Sequence, residues 1–443
     1  MLRTFICAAV LLFATTSYTQ SWKEIDDSRI ATRNSSEREI IPSQYKVFTS
    51  DIDEIKSLLK SASKEGLRDI SQRISMSLPY PDGSIVEFQV FESPCMQEKL
   101  SAKYPSIKSF KGISESGDIT RFDISPYGLR ASVITNKGEF YIDPYVKEDL
   151  KNSIVYYTKD FGSEQDGSNY TCGVTGENIE FTRSKKSSTR GINVDVYEYE
   201  LAISCTGEWG AKRGTVEKAL ADMNTSVNRL NQIFENELAY RVILINDNDK
   251  IVFIDAATDP FSTAISRTGG ELIPVNTTIV NNYLGHSNYD YGHVFTVGCT
   301  DVGGVAFLSS VCNPSNKAGG CTCFANNSVI PTTVSIVAHE MGHQFSAQHT
   351  FNNCGGNESA FGVEPGSGST IMSYAGLCGS NNVLADNYDF YHSISLSQIE
   401  SHTRNGGSAE GCATIYPTSN ISPDIQLDYE DGFYIPTNTS FYL

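Results

Sequence analysis

The spacing of apolar positions divides the chain into stretches of different period. At 51–63, Ile52, Ile55, Leu58 and Leu59 recur at helical intervals behind Asp51, a residue suited to capping a helix start. Four stretches then alternate or are rich in β-branched and aromatic residues, as strands do: Ile85–Phe91, Ile119–Ile124, Leu129–Ile134 and Glu139–Ile142. Asn136-Lys137-Gly138 supplies a hairpin turn between the last two. After residue 190 the elements lengthen. Val194–Ser204 alternates as a strand. Across 214–239, Val216, Ala219, Leu220, Met223, Val227, Leu230 and Phe234 fall on one helical face. Arg241–Ile245 and Ile251–Ile254 read as further strands. This order predicts an α+β domain in front of a mixed sheet with helices packed against it.

Between the two lies Arg183-Ser-Lys185-Lys186-Ser-Ser-Thr-Arg190, polar, basic and without apolar period. It reads as an exposed linker open to proteolytic nicking, with an ordinary domain linker as the alternative. Tyr416–Pro423 reads as a second linker, and the last twenty residues as the opening of another β domain that stops short. The expected divisions are 1–19, 20–190, 191–415 and 416–443.

The start of the chain changes the picture. Met1-Leu2-Arg3 precedes an apolar run from Phe5 to Ala14, then small residues at Ser17 and Thr19. That pattern predicts a secretory signal peptide cut near Thr19 and hence a secreted protein. The run is shorter than the roughly 20 residues a membrane span needs, and no later stretch is long and apolar enough. Eleven cysteines fit export; without Cys7 ten remain, eight of them after residue 200. They read as disulfides, though eight cysteines leave 105 pairings open. Cys321-Thr-Cys323 has no second pair at the spacing of a metal knuckle. With 52 acidic against 34 basic residues the net charge is −18, which argues against nucleic acid as a partner.

Three of the seven histidines fall within eleven residues, in Val337-Ala-His339-Glu340-Met-Gly-His343-Gln-Phe-Ser346-Ala-Gln-His349. On a helix, His339 and His343 project from one face and reach one ion at about 2.1 Å. Thr332 or Thr333 would cap that helix, and Val334, Ile336, Val337 and Phe345 would bury its other side. His349 on a continued helix would stand about 9 Å beyond His343 along the axis, out of reach. The spacing therefore requires a helix break near Ser346. Three neutral imidazoles leave one position for a water, whose proton Glu340 would take and later pass to a leaving amine. The alternative is a binding or adhesion module with a structural zinc. His286, His293, His392 and His402 lack such spacing and read as surface or structural residues.

The segment resembles the metzincin zinc-peptidase signature, His-Glu-x-x-His-x-x-Gly-x-x-His, with Ser346 in place of the glycine. A left-handed serine there costs on the order of 1 kcal/mol, which a packed domain tolerates. Ile371-Met372-Ser373-Tyr374 resembles the family's methionine turn, with Met372 as an apolar floor. Gly304-Val305-Ala306-Phe307 and the residues up to Cys312 resemble the edge strand of the reprolysin (adamalysin-like) branch. Over roughly 191–412 the chain is similar to secreted bacterial reprolysin-like peptidases. The resemblance implies a metzincin catalytic domain of mixed twisted sheet and long helices behind an α+β prodomain. It implies one catalytic zinc on His339, His343 and His349, with calcium left open, and protein or peptide substrates added as a strand along 303–309. Ala375–Cys378 would wall a side-chain pocket. Tyr374 is either a fifth ligand or oxyanion helper, or a buried structural residue. Cys172-Gly173-Val174-Thr175 resembles a cysteine switch that keeps the proenzyme latent; a Cys95–Cys172 disulfide is the other reading. Oligomeric state is not legible.

Overall fold

The structure, a computed structural model, describes residues 22–30, 38–65, 73–161, 172–175, 194–324, 331–357, 359–404 and 406–418. The expected signal peptide, the basic stretch at 183–190 and the chain beyond 418 lie outside them.

Alternation in the first half builds a sheet with two unlike faces. β1 (Lys23–Ile25), β2 (Lys46–Thr49), β3 (Ile74–Pro79), β4 (Ile85–Glu92), β5 (Lys108–Ser114), β6 (Ile119–Ser125), β7 (Gly128–Thr135), β8 (Gly138–Pro144) and β9 (Asn152–Tyr157) form it. The order is β1-β2-β9-β8-β7-β6-β5-β4-β3, with every neighbour antiparallel. The β7–β8 turn closes on the pair Thr135↔Gly138, where glycine accepts a φ of 119°. Phe88, Phe110, Phe122, Leu129, Val133 and Phe140 line one face, and Ile55 and Leu59 of α1 (Ile52–Leu59) pack into the same cluster. The Asp51 carboxylate accepts from the Asp53 and Glu54 N–H groups, as a helix cap does. The short α2 (Glu98–Lys103) follows β4.

The second sheet comprises β10 (Cys172–Thr175), β11 (Val196–Cys205), β12 (Tyr240–Leu244), β13 (Tyr291–Val297), β14 (Gly304–Phe307), β15 (Gly320–Phe324) and β16 (Thr414–Tyr416). Its path is β10-β14-β15-β13-β11-β12, and β16 adds to β11. The order is mixed: β14 against β15 and β16 against β11 are antiparallel, the rest parallel. Helices α3 (Gly207–Ala211), α4 (Val216–Leu238), α5 (Gly269–Leu284), α6 (Pro331–Gln344) and α7 (Ser393–Thr403) accompany it. Leu220, Met223, Val227, Leu230 and Phe234 of α4 join Val337, Met341 and Phe345 in one core.

Four local expectations change. Ile251–Ile254 is not a strand: a 3-10 turn covers Asn248–Ile251 and only Val252 bridges to Cys205. The Asn248 amide occupies the N–H and C=O of Ile203, the backbone groups a further strand would have used. Tyr416, expected in a linker, pairs with Val196. α6 opens at Pro331, whose missing N–H costs nothing in a first turn, so Thr332 and Thr333 lie inside the helix instead of capping it. Disulfides join Cys299–Cys323, Cys312–Cys412 and Cys354–Cys378, but Cys205 and Cys321 are buried thiols. Those two sit on strands separated by β13, roughly 10 Å apart, beyond the reach of a bridge.

The outer face of α4 meets the second face of the first sheet. Arg121, Asp123, Arg130 and Asp143 alternate with the apolar residues of β6 to β8 and are buried. Arg130 pairs with Asp222 at 2.8 Å, Arg229 with Asp143 at 2.6 Å, and Arg121 with Glu235 at 2.5 Å. Thr225 donates to Asp123, and Asn224 and Ser109 bond each other. Burial raises the Glu235 carboxyl, but Arg121, Arg241 and Lys111 outweigh it and hold the group well below the usual carboxylate range. The contact is large, polar and ion-paired.

Candidate metal centre

The site is built on the C-terminal half of α6. His339 and His343 stand one turn apart and are buried. The helix stops at Gln344, and Ser346 takes a φ of 89°. Ser346 N–H bonds His343 O and Ala347 N–H bonds Gly342 O, the paired bonds of a Schellman turn. The Ser309 hydroxyl meets the Ser346 hydroxyl at 3.0 Å, which ties the strained residue down. The chain then doubles back and brings His349 to the other two. Its Nε2 lies 3.2 Å from that of His339 and 3.1 Å from that of His343, which are 3.1 Å from each other.

That triangle fits a zinc ion. Three nitrogens held tetrahedrally at about 2.1 Å stand about 3.4 Å apart, within a few tenths of the spacing observed. The tautomers fit as well. His339 Nδ1 donates to Ile371 O at 2.6 Å and His343 Nδ1 to Ala347 O at 2.7 Å. A carbonyl only accepts, so these Nδ1 atoms carry the protons and the Nε2 lone pairs converge. Lone pairs facing each other at 3.1 Å repel unless a cation lies between them. Burial holds His339 neutral, lowering it to about 4; burial and the neighbouring imidazoles also lower His343 well below the usual range, and burial with the neighbouring His339 does the same for His349.

The segment expected to be a methionine turn meets the histidines through its backbone. Ile371 O orients His339, and Met372 O accepts from Thr350 N–H, next to His349. The Met372 side chain is fully buried, and its sulfur lies where a Cβ at Gly342 would come within 2.6 Å. Glu340 is also fully buried. It borders Gly304 so closely that a Cβ there would sit 2.4 Å from Oε1, so the edge strand needs glycine at this point.

Cys172 reaches the same place from β10. Its Sγ lies 3.4 Å from His343 Nε2 and 3.6 Å from Glu340 Oε2. Cys172, His339, His343 and His349 offer ligand atoms that all lie within 4.8 Å of one another. β10 runs parallel to β14, with Cys172 opposite Gly304 and Thr175 opposite Phe307. The expected substrate edge is thus covered by the chain's own segment. Cys95 lies elsewhere, buried beside Asn228 and Asn231, and forms no bridge with Cys172. Tyr374 stacks on Phe351 with centroids 4.5 Å apart and lies edge-on to His349. Its hydroxyl donates to Cys172 O at 3.1 Å. Burial, then Cys172 and Glu340, drive its phenol well above the usual range.

Sequence reasoning missed the two carbonyls that fix the imidazole tautomers, because backbone contacts leave no residue signature. It also missed Gln344, which receives a 3.0 Å contact from the buried His293 and anchors the end of α6 to the sheet. His293 pairs with Thr322 on its other nitrogen, and His392 caps α7, so both are structural.

Residues 195–402 match the reprolysin-like metallopeptidase family M12B. Among solved structures, the chain is similar to metalloproteinase-II from Bacteroides fragilis at 9% identity and a TM-score of 0.43, covering 80% of this chain and 96% of that one. It is also similar to a mutant of Tannerella forsythia promirolysin at 10% identity and a TM-score of 0.29, over 46% of this chain and 79% of the other. A search of curated proteins found no match.

Proposed function

Residues 195–402 form a reprolysin-like metallopeptidase domain of family M12B, and from that premise we propose that the chain is the latent precursor of a secreted zinc endopeptidase. The observation that carries this reading is the convergence of three Nε2 lone pairs beside the buried carboxylate of Glu340. His339, His343 and His349 would hold zinc, which supplies Lewis acidity and acidifies the attacking water. Glu340 takes the proton from that water and returns it to the amine of the departing peptide. Its burial beside Gly304 keeps the carboxylate at the edge of the cleft and away from bulk water. The peptide lies along β14, bonded through its main chain.

Latency follows from Cys172. Its sulfur, 3.4 Å from His343 Nε2, would take the fourth zinc position, and β10 pairs with the edge along which a substrate would lie. Tyr374, holding Cys172 O, contributes to that grip. Cleavage in the basic stretch at 183–190 would release the segment. A closed set of one thiolate and three imidazoles is also what a structural zinc site presents. Against that alternative stands Glu340, a carboxylate for which Gly304 leaves room and for which a structural site has no use.

The test is metal analysis joined to proteolysis. The processed protein is expected to carry one zinc and to cut a generic protein substrate. A chelator should abolish cleavage and added zinc restore it. Zinc-loaded, processed protein that cuts no protein would leave the structural-site reading in its place. Leader removal and export are checked by the N-terminus of the protein recovered outside the cell.

A further inference from the structure

The cleft has a wall that limits what it can accept. β10 aligns Cys172 with Gly304 and Gly173 with Val305. Residues directly opposite on neighbouring strands project to the same face of the sheet. Gly304 faces Glu340, and Cys172 points its sulfur to that side. The next pair must therefore face the other way. Val305 does so, 1% exposed and packed with Leu272 and Ile273 of α5.

On that face there is little space beside Gly173. A Cβ at position 173 would meet Val302 Cγ1 at 3.1 Å and Val305 Cγ2 at 3.4 Å. The first is tighter than the roughly 3.5–4.0 Å at which carbon atoms rest, and the second is close contact. Val305 is buried and Val302 half-buried, so what room there is to shift belongs to Val302. Behind them is Gly269 at the start of α5, where a Cβ would stand 2.6 Å from Val302 Cγ2 and 3.2 Å from Val305 Cγ1. Val302 and Val305 thus lie between the backbones of Gly173 and Gly269.

We infer that Val302 and Val305 form a specificity wall, so that the peptide residue paired with Val305, next to the one over the metal, must be glycine or nearly as small. The face rule holds for parallel and antiparallel strands alike, so the inference stands whichever way the substrate runs. It rests on the peptidase reading for its substrate part. Its geometric part concerns β10 alone.

Two measurements separate those parts. In the unprocessed chain, Gly173→Leu should push β10 out and raise the rate at which Cys172 reacts with a maleimide by roughly tenfold or more, while Val302→Ala in the same chain should restore protection. Unchanged labelling in Gly173→Leu would show that no wall is there. Increased labelling that Val302→Ala fails to reverse would assign the crowding to other residues. In the processed, zinc-loaded enzyme, peptides scanned with Gly, Ala and Leu should reveal one position where kcat/KM falls roughly tenfold or more from Gly to Leu, and Val302→Ala should flatten that fall. A flat profile in the wild type overturns the substrate part. Absence of any cleavage, with the thiol result intact, overturns the peptidase reading and spares the wall.

Discussion

At the scale of single residues, the site depends on atoms that differ little in size but much in consequence. Glu340→Gln keeps the shape beside Gly304 and removes the group proposed to accept the proton. Zinc content should be unchanged while cleavage falls by about 10²-fold to 10⁴-fold, read by metal analysis and peptide hydrolysis. Gly304→Ala works from the opposite side, because its methyl would overlap Glu340 Oε1. It should lower kcat without loss of zinc. Ser346 bears a left-handed backbone at about 1 kcal/mol and recovers a comparable amount from Ser309. Ser346→Gly exchanges one for the other and should shift stability by less than about 1 kcal/mol. Ser346→Val, β-branched and without the hydroxyl, should lose roughly 2 kcal/mol and weaken zinc retention. Thermal unfolding and dialysis against a chelator check both.

At the scale of elements, α4 carries two different interfaces. Its apolar stripe was legible as a 3.6-residue period from Val216 to Phe234. Its remaining residues, Asp222, Asn224, Thr225, Asn228 and Arg229, are buried too, against the polar face of β5 to β8. Neither half of that contact can be recognised alone, since polar residues opposite an apolar stripe read as a solvated surface. The ion pairs are unequal. Asp222 keeps Arg213 at 3.0 Å if Arg130 is removed, whereas removing Asp143 takes away the carboxylate at ion-pair distance from Arg229 and leaves only the longer-range pull of Asp123, Glu139 and Asp389. Asp143→Ala should therefore weaken docking of the front domain by about 3–5 kcal/mol, and Arg130→Ala by clearly less. Urea titration of the chain nicked between the two domains, followed by size exclusion, gives the order. An equal or reversed order would mean that the pairs contribute little to docking.

At the scale of the whole molecule, the front domain seals both open edges of the second sheet. Gln97 N–H bonds Leu244 O and Leu244 N–H bonds Cys95 O along β12, while β10 covers β14. The seal should respond to pH. Burial lifts Asp123 from 3.8 to about 7 against the pull of Arg130 and Arg229, and burial with the facing Asp389 lifts Glu139 across the same boundary. A group raised in the assembled state favours assembly while protonated, and that contribution is lost as pH rises through the assembled value. Glu235, depressed instead, stays ionised above about pH 5 and does not oppose the trend. The nicked complex should therefore bind roughly tenfold or more tightly at about pH 5 than at about pH 8, measured by dissociation on dilution. Tighter binding at the higher pH would refute the assignment.

The histidine cluster and the need for a helix break at Ser346 were written locally, in residues a few positions apart whose spacing geometry constrains. So were α1, α4 and the strands at Ile85–Phe91, Ile119–Ile124, Leu129–Ile134 and Glu139–Ile142, because each announces its period within its own length. What convergence decides was hidden. Ile371 O and Ala347 O acting on imidazoles, Gly304 clearing space for Glu340 and the charged seam along α4 all depend on contacts that no local spacing records, and Cys172 was legible only through its resemblance to a cysteine switch. Local periodicity reports which side of an element is apolar. Only packing determines whether the polar side meets water or another part of the same chain.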